Sequence, residues 1–310
     1  MNMQPRRLVR ATTRPLKTAF NAVAGWIVIG LLRLLRRTDP DRMADRFGTL
    51  MRKVGPWLPE HQTGRANLVA AFPEKSAAEI ENILTSVWDN LGRVGVEFAH
   101  LDPIWLGNIE QANRGRIEYS QGSFDIFLRL RDAKKPALLF SAHLANWELP
   151  ALIGPALGVK GAVLYRRPNI AAFADVVQKI RGGSPISLIP TDFDAGFRIA
   201  AALERGVHVG MLVDQYYVKG VDVTFFGRRT KANPLIARLA RHFDCPIHGV
   251  RMIRLAGHRF RGEITDAIDI PRDVDGKADV QGTMQAITSV VEGWVREHPE
   301  QWLWLHRRWR

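Results

Sequence analysis

Cysteine is almost missing from this sequence, because Cys245 is the only one among 310 residues. A single thiol excludes an internal disulfide and is typical of a domain that faces a reducing compartment. The chain also lacks an HExxH motif and any cysteine cluster, and so it has no strong signature of a zinc site. Glycine-rich loops of the Walker or dinucleotide-binding kind are absent too, which argues against nucleotide chemistry.

Acidic residues are scarce relative to basic ones. The sequence has 31 Asp and Glu against 44 Lys and Arg, which gives a formal net charge of +13. Such a surface attracts anions, whether they belong to phosphorylated lipid, an acidic protein or nucleic acid. Charge alone does not choose among these three partners.

No uninterrupted apolar run reaches the roughly 20 residues that cross a bilayer at right angles to its plane. The longest candidate runs from Thr18 to Leu32, with arginines on both sides. It has the basic start of a signal peptide, but the small residues that resemble a cleavage site lie inside the apolar run. We therefore expect residues 1–37 to be an uncleaved membrane anchor that spans the bilayer or lies in its interface. A buried helix is the alternative, and residues 38–310 are expected to form a single α/β domain.

From about residue 117, short apolar runs alternate with amphipathic segments. This alternation predicts an α/β fold with a mostly parallel central sheet flanked by helices. Strands are predicted at 137–141, 160–165, 185–190, 207–213, 246–254 and 259–266, and helices at 122–132, 147–157, 171–181, 194–205, 233–243 and 279–298. Upstream, Ser76 and Glu79 form a predicted capping box at the start of a further helix.

His143 and Glu148 stand where the first of these strands ends. A loop that carries His143, followed by a helix beginning near Asn146, would let Glu148 fold back toward the imidazole. The carboxylate would then orient a histidine that acts as a base. A second interpretation stays open, in which His143 caps the strand and Glu148 favours a helix N-terminus.

Two further polar clusters follow strands and are expected at the same sheet edge, where ligands bind in open α/β folds. Tyr165, Arg166 and Arg167 follow one strand, and Asp214 and Gln215 follow another. Either arginine could hold a phosphate or stabilise an oxyanion. Asp214 could orient an arginine or a substrate hydroxyl, or it could simply cap a turn.

Two aromatic and basic segments near the carboxyl end are also candidates for binding. Phe225 and Phe226 precede Arg228 and Arg229, and this segment could line an acyl or phosphate pocket, although core packing of the phenylalanines is the simpler interpretation. The terminal segment 302–310 alternates large apolar residues with polar ones and ends strongly cationic. These residue types suit a lipid headgroup surface or stacking on single-stranded nucleic acid.

Taken in order, these segments resemble the lipid A secondary acyltransferases, the lauroyl and myristoyl transferases of lipopolysaccharide synthesis in Gram-negative bacteria. The H-x4-E motif alone is weakly specific, but six blocks in this order form a strong pattern. The blocks beyond the basic N-terminal segment are Arg65-Ala-Asn67-Leu68 with Phe72-Pro73-Glu74, His143 with Glu148, Tyr165-Arg166, Asp214 with Phe225-Phe226-Gly227, and Pro299 to Arg308.

The resemblance implies a glycerolipid-acyltransferase-like fold and transfer of a fatty acyl group from acyl carrier protein to a hydroxyl of a phosphorylated glucosamine lipid. It implies no metal or nucleotide cofactor, no nucleic-acid partner, and a place at the bacterial inner membrane with the catalytic domain on the cytoplasmic face. The expected catalytic residues are His143, Glu148, Arg166 and Asp214; the expected substrate-binding residues are Asn146, Tyr165, Arg167, Gln215, Arg228 and Arg229. Acylation of another glycolipid or an aminolipid is the alternative reaction, and a non-catalytic basic protein on a membrane or nucleic acid is the alternative of another class.

Overall fold

A computed structural model describes residues 30–101, 115–156, 158–166 and 187–310. The predicted helix at 171–181 and most of the predicted anchor lie outside these ranges. Within the described residues, no helix has both the length and the apolar character needed to cross a membrane.

Among the described residues, the long helices before the sheet are α1 (Pro40–Val54), α2 (Pro59–Ala71) and α3 (Ala77–Glu97). The predicted capping box at the start of α3 is confirmed, since Ser76 Oγ accepts from the Glu79 amide while the Glu79 carboxylate accepts from the Ser76 amide. The apolar face of α3 is buried, and Trp88 at its centre is 2% exposed. This face of α3 therefore belongs to the same hydrophobic core as β2 of the sheet.

In the part of the chain that the structure describes, seven strands form the central sheet in the order β1-β9-β8-β2-β5-β3-β4. All neighbouring pairs are parallel except β8 with β9, so the predicted mostly parallel sheet is confirmed. The strands are β1 (Ile117–Tyr119), β2 (Leu138–Ser141), β3 (Gly161–Tyr165), β4 (Ser187–Pro190), β5 (His208–Leu212), β8 (Ile247–Leu255) and β9 (Arg259–Ile264).

Helices cover both faces of this sheet, as the alternation predicted. They are α4 (Gln121–Asp132), α5 (Leu149–Ala156), α6 (Ala195–Glu204), α7 (Leu235–Phe243) and α8 (Val280–Glu297). Side chains alternate between the two faces along a strand. Leu138 and Phe140 of β2 pack in the core beneath α7 and α8, whereas Leu139 faces the core beneath α4 and α5.

A two-stranded hairpin, β6 (Val221–Phe225) and β7 (Arg228–Ala232), was not predicted. Its turn is formed by Phe226 and Gly227, both of which have positive φ (51° and 68°). That conformation matches a tight hairpin turn, but phenylalanine is rarely its first residue. The hairpin packs against α8, and its Phe225 and Phe226 are buried, which agrees with the core interpretation of these phenylalanines.

Candidate active site

His143 lies in the loop after β2, at the carboxyl edge of the sheet. Its Nδ1 donates to Asp214 Oδ1 at 2.8 Å, and its backbone amide donates to Asp214 Oδ2 at 2.8 Å. Asp214 follows β5, the neighbour of β2, with Ser141 and Leu212 in register at the ends of the two strands. Strand order therefore joins two residues that are 71 positions apart in the sequence.

Asp214 is the most deeply buried group of this pair, with a side chain 1% exposed against 13% for His143. Burial would raise the pKa of Asp214, but the charge of His143 and its hydrogen bond outweigh burial and hold that pKa well below its usual range. Burial would likewise lower the pKa of His143, but the charge and hydrogen bond of Asp214, together with the charge of Glu148, raise it above 6.5. The site thus stabilises an imidazolium.

The structure corrects the expected roles of the two carboxylates. Glu148 was expected to hold the imidazole, and Asp214 to position an arginine or a hydroxyl. It is Asp214 that accepts from the ring Nδ1, which leaves His143 Nε2 as the acceptor nitrogen of the neutral ring. Glu148 lines the same cavity and acts on His143 through its negative charge.

A second correction concerns Asn146, which was expected to bind substrate. Its side chain is fully buried beneath the site, where its amide donates to Glu97 Oε2 at 2.9 Å. Its Oδ1 accepts from the Glu148 amide at 3.1 Å. The predicted capping role is therefore preserved, although the helix begins at Leu149 and not at Asn146.

A buried polar network supports the His143 loop from below. Arg254 of β8 pairs with Glu97 at the end of α3, and its Nε donates to Asn90 Oδ1 at 2.8 Å. Asn90 in turn donates to the carbonyl of Ala145 at 3.0 Å. Ala145 has a φ of 47°, which is rare for a residue with a side chain. The network fixes this conformation and so helps to determine where His143 points.

The carboxyl-terminal segment completes the site, a role that the sequence did not predict. Trp302 Nε1 donates to Asp214 Oδ2 at 2.8 Å, and the Leu303 amide donates to the His143 carbonyl at 3.0 Å. Leu144 and Trp302 form an antiparallel bridge. Trp302 and Trp304 are completely buried, so the expectation that they lie on a lipid surface or stack on nucleic acid is wrong. The four consecutive large apolar residues at 302–305 were the available signal for a buried segment.

A cavity of about 680 Å³ opens beside His143, within the usual size range of small-molecule sites. It lies over the sheet face that carries Leu139, Val163 and Gly210, which are register partners on three neighbouring strands. From Leu212 at the carboxyl edge to His208 at the opposite end, β5 extends for about 13 Å. The cavity is thus a mostly apolar slot that runs along the strands beneath α5 and ends in polar groups at one mouth.

Four of the other predicted site residues can be placed relative to this cavity. Tyr165, Arg166 and Gln215 line it, and Gln215 Nε2 lies 3.5 Å from His143 Nε2. Arg228 lies on the hairpin, where its guanidinium covers the ring of Trp309.

Of the two remaining residues, only Arg229 belongs to the described part of the chain, and it does not line the cavity. Arg229 is exposed on the hairpin, and like Arg228 it lies outside the set of residues that line the cavity. The structure therefore does not bring the two hairpin arginines into the pocket that the sequence predicted for them. Arg167 lies outside the described residues.

Comparison with known proteins identifies the family. Residues 13–310 match the family model described as bacterial lipid A biosynthesis acyltransferase. The chain is 23% identical over 278 residues to the lipid A biosynthesis palmitoleoyltransferase of Escherichia coli K12, covering 86% of this chain and 84% of that protein. The same values describe its similarity to a lipid A biosynthesis acyltransferase of Shigella flexneri. The resemblance stated from the sequence is thus confirmed, and this chain belongs to the bacterial lipid A biosynthesis acyltransferase family.

Proposed function

We propose that this protein transfers a fatty acyl chain from the thioester of acyl carrier protein to a hydroxyl of a phosphorylated glucosamine lipid. One observation carries the proposal: a histidine paired with a buried carboxylate stands at the mouth of an apolar slot long enough for a fatty chain. Family membership supports acyl transfer in lipid A synthesis. The donor, the acceptor and the residue roles are the proposed parts.

His143 is the proposed general base. With Nδ1 bonded to Asp214, the neutral ring presents Nε2 to the acceptor hydroxyl and takes its proton. The hydroxyl oxygen then attacks the thioester carbonyl carbon, and the carbon–sulfur bond breaks as the ester forms. The imidazolium returns its proton to the departing thiolate sulfur. Asp214 and Glu148 stabilise the imidazolium between these two transfers, since both raise the pKa of His143.

Arg166 is the proposed binding group for negative charge at the mouth. Its exposed side chain lines the cavity next to Tyr165, at the end of β3. A guanidinium there stabilises the oxyanion of the tetrahedral intermediate or binds a phosphate of the acceptor. Arg167, the next residue in the chain, is the alternative for this role. Gln215 is proposed to hold the acceptor hydroxyl near His143 Nε2.

The proposed location is the cytoplasmic face of the bacterial inner membrane. The formal charge of +13 suits anionic lipid headgroups and an anionic donor protein. A single cysteine, buried at position 245, agrees with a reducing compartment. The basic, apolar N-terminal segment, residues 1–37, is proposed as the anchor.

The test is a direct assay of acyl transfer. The full chain is incubated with a tetraacylated, Kdo-bearing lipid A precursor and a panel of acyl carrier protein thioesters, and the lipid product is weighed by mass spectrometry. We expect one acyl chain to be added, and His143→Ala to abolish the addition. The matched control is His242→Ala, which removes an exposed histidine on α7 and should leave turnover unchanged.

Two results would contradict the proposal. Turnover by His143→Ala at the rate of the unaltered protein would exclude His143 as the base. A lack of product with every donor would exclude this acceptor, and the same panel offered with other glycolipids and aminolipids would then identify the acceptor class.

A further inference from the structure

The edge of the sheet that holds the cavity mouth also carries exposed apolar side chains. Phe193 is 98% exposed in the turn after β4, and Phe197 is 81% exposed in the first turn of α6. Leu212 is the last residue of β5, and Tyr217 lies in the loop that follows. Both side chains are about two-fifths exposed and line the cavity. Val218 beside them is 67% exposed. We call these five residues the mouth ridge.

Sheet order places the parts of the mouth ridge close together. β4 and β5 lie on either side of β3 and run parallel to it, so their carboxyl ends are separated by about 10 Å. Thr191, two residues before Phe193, lines the cavity, and its amide bonds to the carbonyl of Tyr165 at 2.9 Å. The ridge is therefore continuous with the rim of the cavity.

From this continuity we infer that the mouth ridge inserts into a lipid bilayer and sets the cavity mouth against the membrane interface. Moving an exposed phenylalanine from water into the boundary between lipid headgroups and acyl chains is favourable, because its apolar surface leaves water. Such side chains typically enter to a depth of about 5–10 Å. The exposed cations Arg166 and Lys219 stand beside the ridge, and the whole chain carries a charge of +13 that favours an anionic surface.

Acidic groups near the ridge do not oppose this orientation. Asp194 is ion-paired with Arg198 at 2.7 Å, one turn along α6. Asp192 lies two residues before Asp194, and the nearby Asp194 carboxyl raises the pKa of Asp192. Arg198 and the exposed cations Arg166 and Lys219 offset the charges of Asp192 and Asp194, and the rings of Phe193 and Phe197 remain exposed. The inference rests on the proposed function in one respect: a lipid acceptor must reach this mouth from a bilayer.

The experiment measures the depth of individual residues in the membrane. Cys245 is the only cysteine, so Cys245→Ser gives a background for labelling one position at a time. An environment-sensitive dye is attached to Phe193→Cys, Phe197→Cys or Val274→Cys in the full chain. Vesicles of phosphatidylethanolamine and phosphatidylglycerol are then added, with nitroxide-labelled lipid as the quencher.

Val274→Cys is the matched control. Val274 is as exposed as Phe193, but it lies two residues after Arg272. Arg272 bonds to Asp244, which comes just before β8 begins. Because β8 runs parallel to β2, this segment lies at the opposite edge of the sheet. A dye at 274 therefore stays in water if the mouth ridge contacts the membrane, and it is quenched if the opposite edge of the sheet does.

We expect the dyes at 193 and 197 to shift to the blue and to be quenched by the labelled lipid, and the dye at 274 to stay in water. A dye at 193 that remains in water while the protein is bound to vesicles would overturn the inference. So would a dye at 193 that is already shielded without lipid, since another part of the chain or a second copy would then cover the ridge. The same measurement in a His143→Ala background separates this outcome from failure of the proposed reaction, because insertion does not require turnover.

A pair of serine substitutions gives an independent readout. Burial of one phenylalanine side chain is worth at least about tenfold in partitioning, so Phe193→Ser with Phe197→Ser should weaken use of a vesicle-embedded acceptor by about a hundredfold or more. Turnover with acceptor dispersed in detergent should be unchanged. An equal loss in both assays would mean that these residues act on the fold and not on membrane contact.

Discussion

Gly210 is the position where a single substitution should change the length of the acyl chain that the enzyme accepts. It lies at the middle of β5, between Leu139 and Val163 on the neighbouring strands, and lines the cavity. Leu212 at the mouth is two residues away, so Gly210 is about 7 Å inside the slot. A side chain at this point fills space that the distal part of a fatty chain would otherwise occupy.

The magnitude follows from the carbon atoms exchanged. Gly210→Val adds three carbons and displaces about three methylenes of the acyl chain. Each buried methylene is worth about 0.8 kcal/mol, so the loss is about 2.4 kcal/mol, or about 60-fold in kcat/KM for donors that extend past Gly210. The fold should tolerate the change, because an added Cβ would lie 3.6 Å from Val163 Cγ2, an ordinary contact.

The assay is a series of acyl carrier protein thioesters of increasing chain length, each measured for kcat/KM. The Gly210→Val enzyme should match the unaltered enzyme on short donors and fall behind it on long ones. Val163→Ala, which removes two carbons from the same wall beside Gly210, should move the preference toward longer donors. A uniform loss at all lengths, or no loss at any length, would refute the assignment of this slot to the acyl chain.

Three further predictions concern the supports of the catalytic pair. The rate should rise with pH through a midpoint above 6.5, because Asp214 raises the pKa of His143. In a pH–rate profile, Asp214→Asn should lower both the rate and that midpoint. An unmoved midpoint would contradict the pairing of Asp214 with His143. Trp302→Phe removes one hydrogen bond to a buried carboxylate and should cost about 1.5–3 kcal/mol of unfolding free energy in urea with a reduced kcat; an unchanged urea midpoint would argue against this bond. Glu97→Gln leaves Arg254 buried without its ionic partner and should cost about 3–5 kcal/mol, measured in the same way, and a stability loss under 1 kcal/mol would contradict the buried pair.

The sequence predicted the alternation of strands and helices because apolar periodicity is a local property. The strand near 207–213 and the helix near 194–205 appear as β5 and α6, each within two residues of the predicted bounds. The antiparallel direction of β9 relative to β8 and the hairpin of β6 and β7 were not predicted. Both depend on turns, and the Phe226-Gly227 turn lacks the asparagine or aspartate that usually marks such a hairpin.

The site was predicted in part, for a related reason. Residues that follow parallel strands gather at one edge, so His143, Tyr165, Arg166 and Gln215 were correctly expected near one another. The choice of the carboxylate that holds His143 was wrong, because spacing along the chain favoured Glu148 over Asp214. That choice depends on which strands are neighbours, and the pairing of β2 with β5 brings Asp214 to the ring.

Pairing of β2 with β5 also explains why the two carboxylates can take different tasks. Asp214 is enclosed by the backbone amide of His143 and the indole of Trp302, and both donate to the same oxygen, Oδ2. It is therefore fixed, desolvated and kept ionised, which suits a group that orients the ring throughout the reaction. Glu148 lies on the cavity wall, where its charge acts on the imidazole without taking the position on Nδ1. One carboxylate is thus built into the scaffold, and the other faces the cavity in which we propose that the acceptor hydroxyl binds.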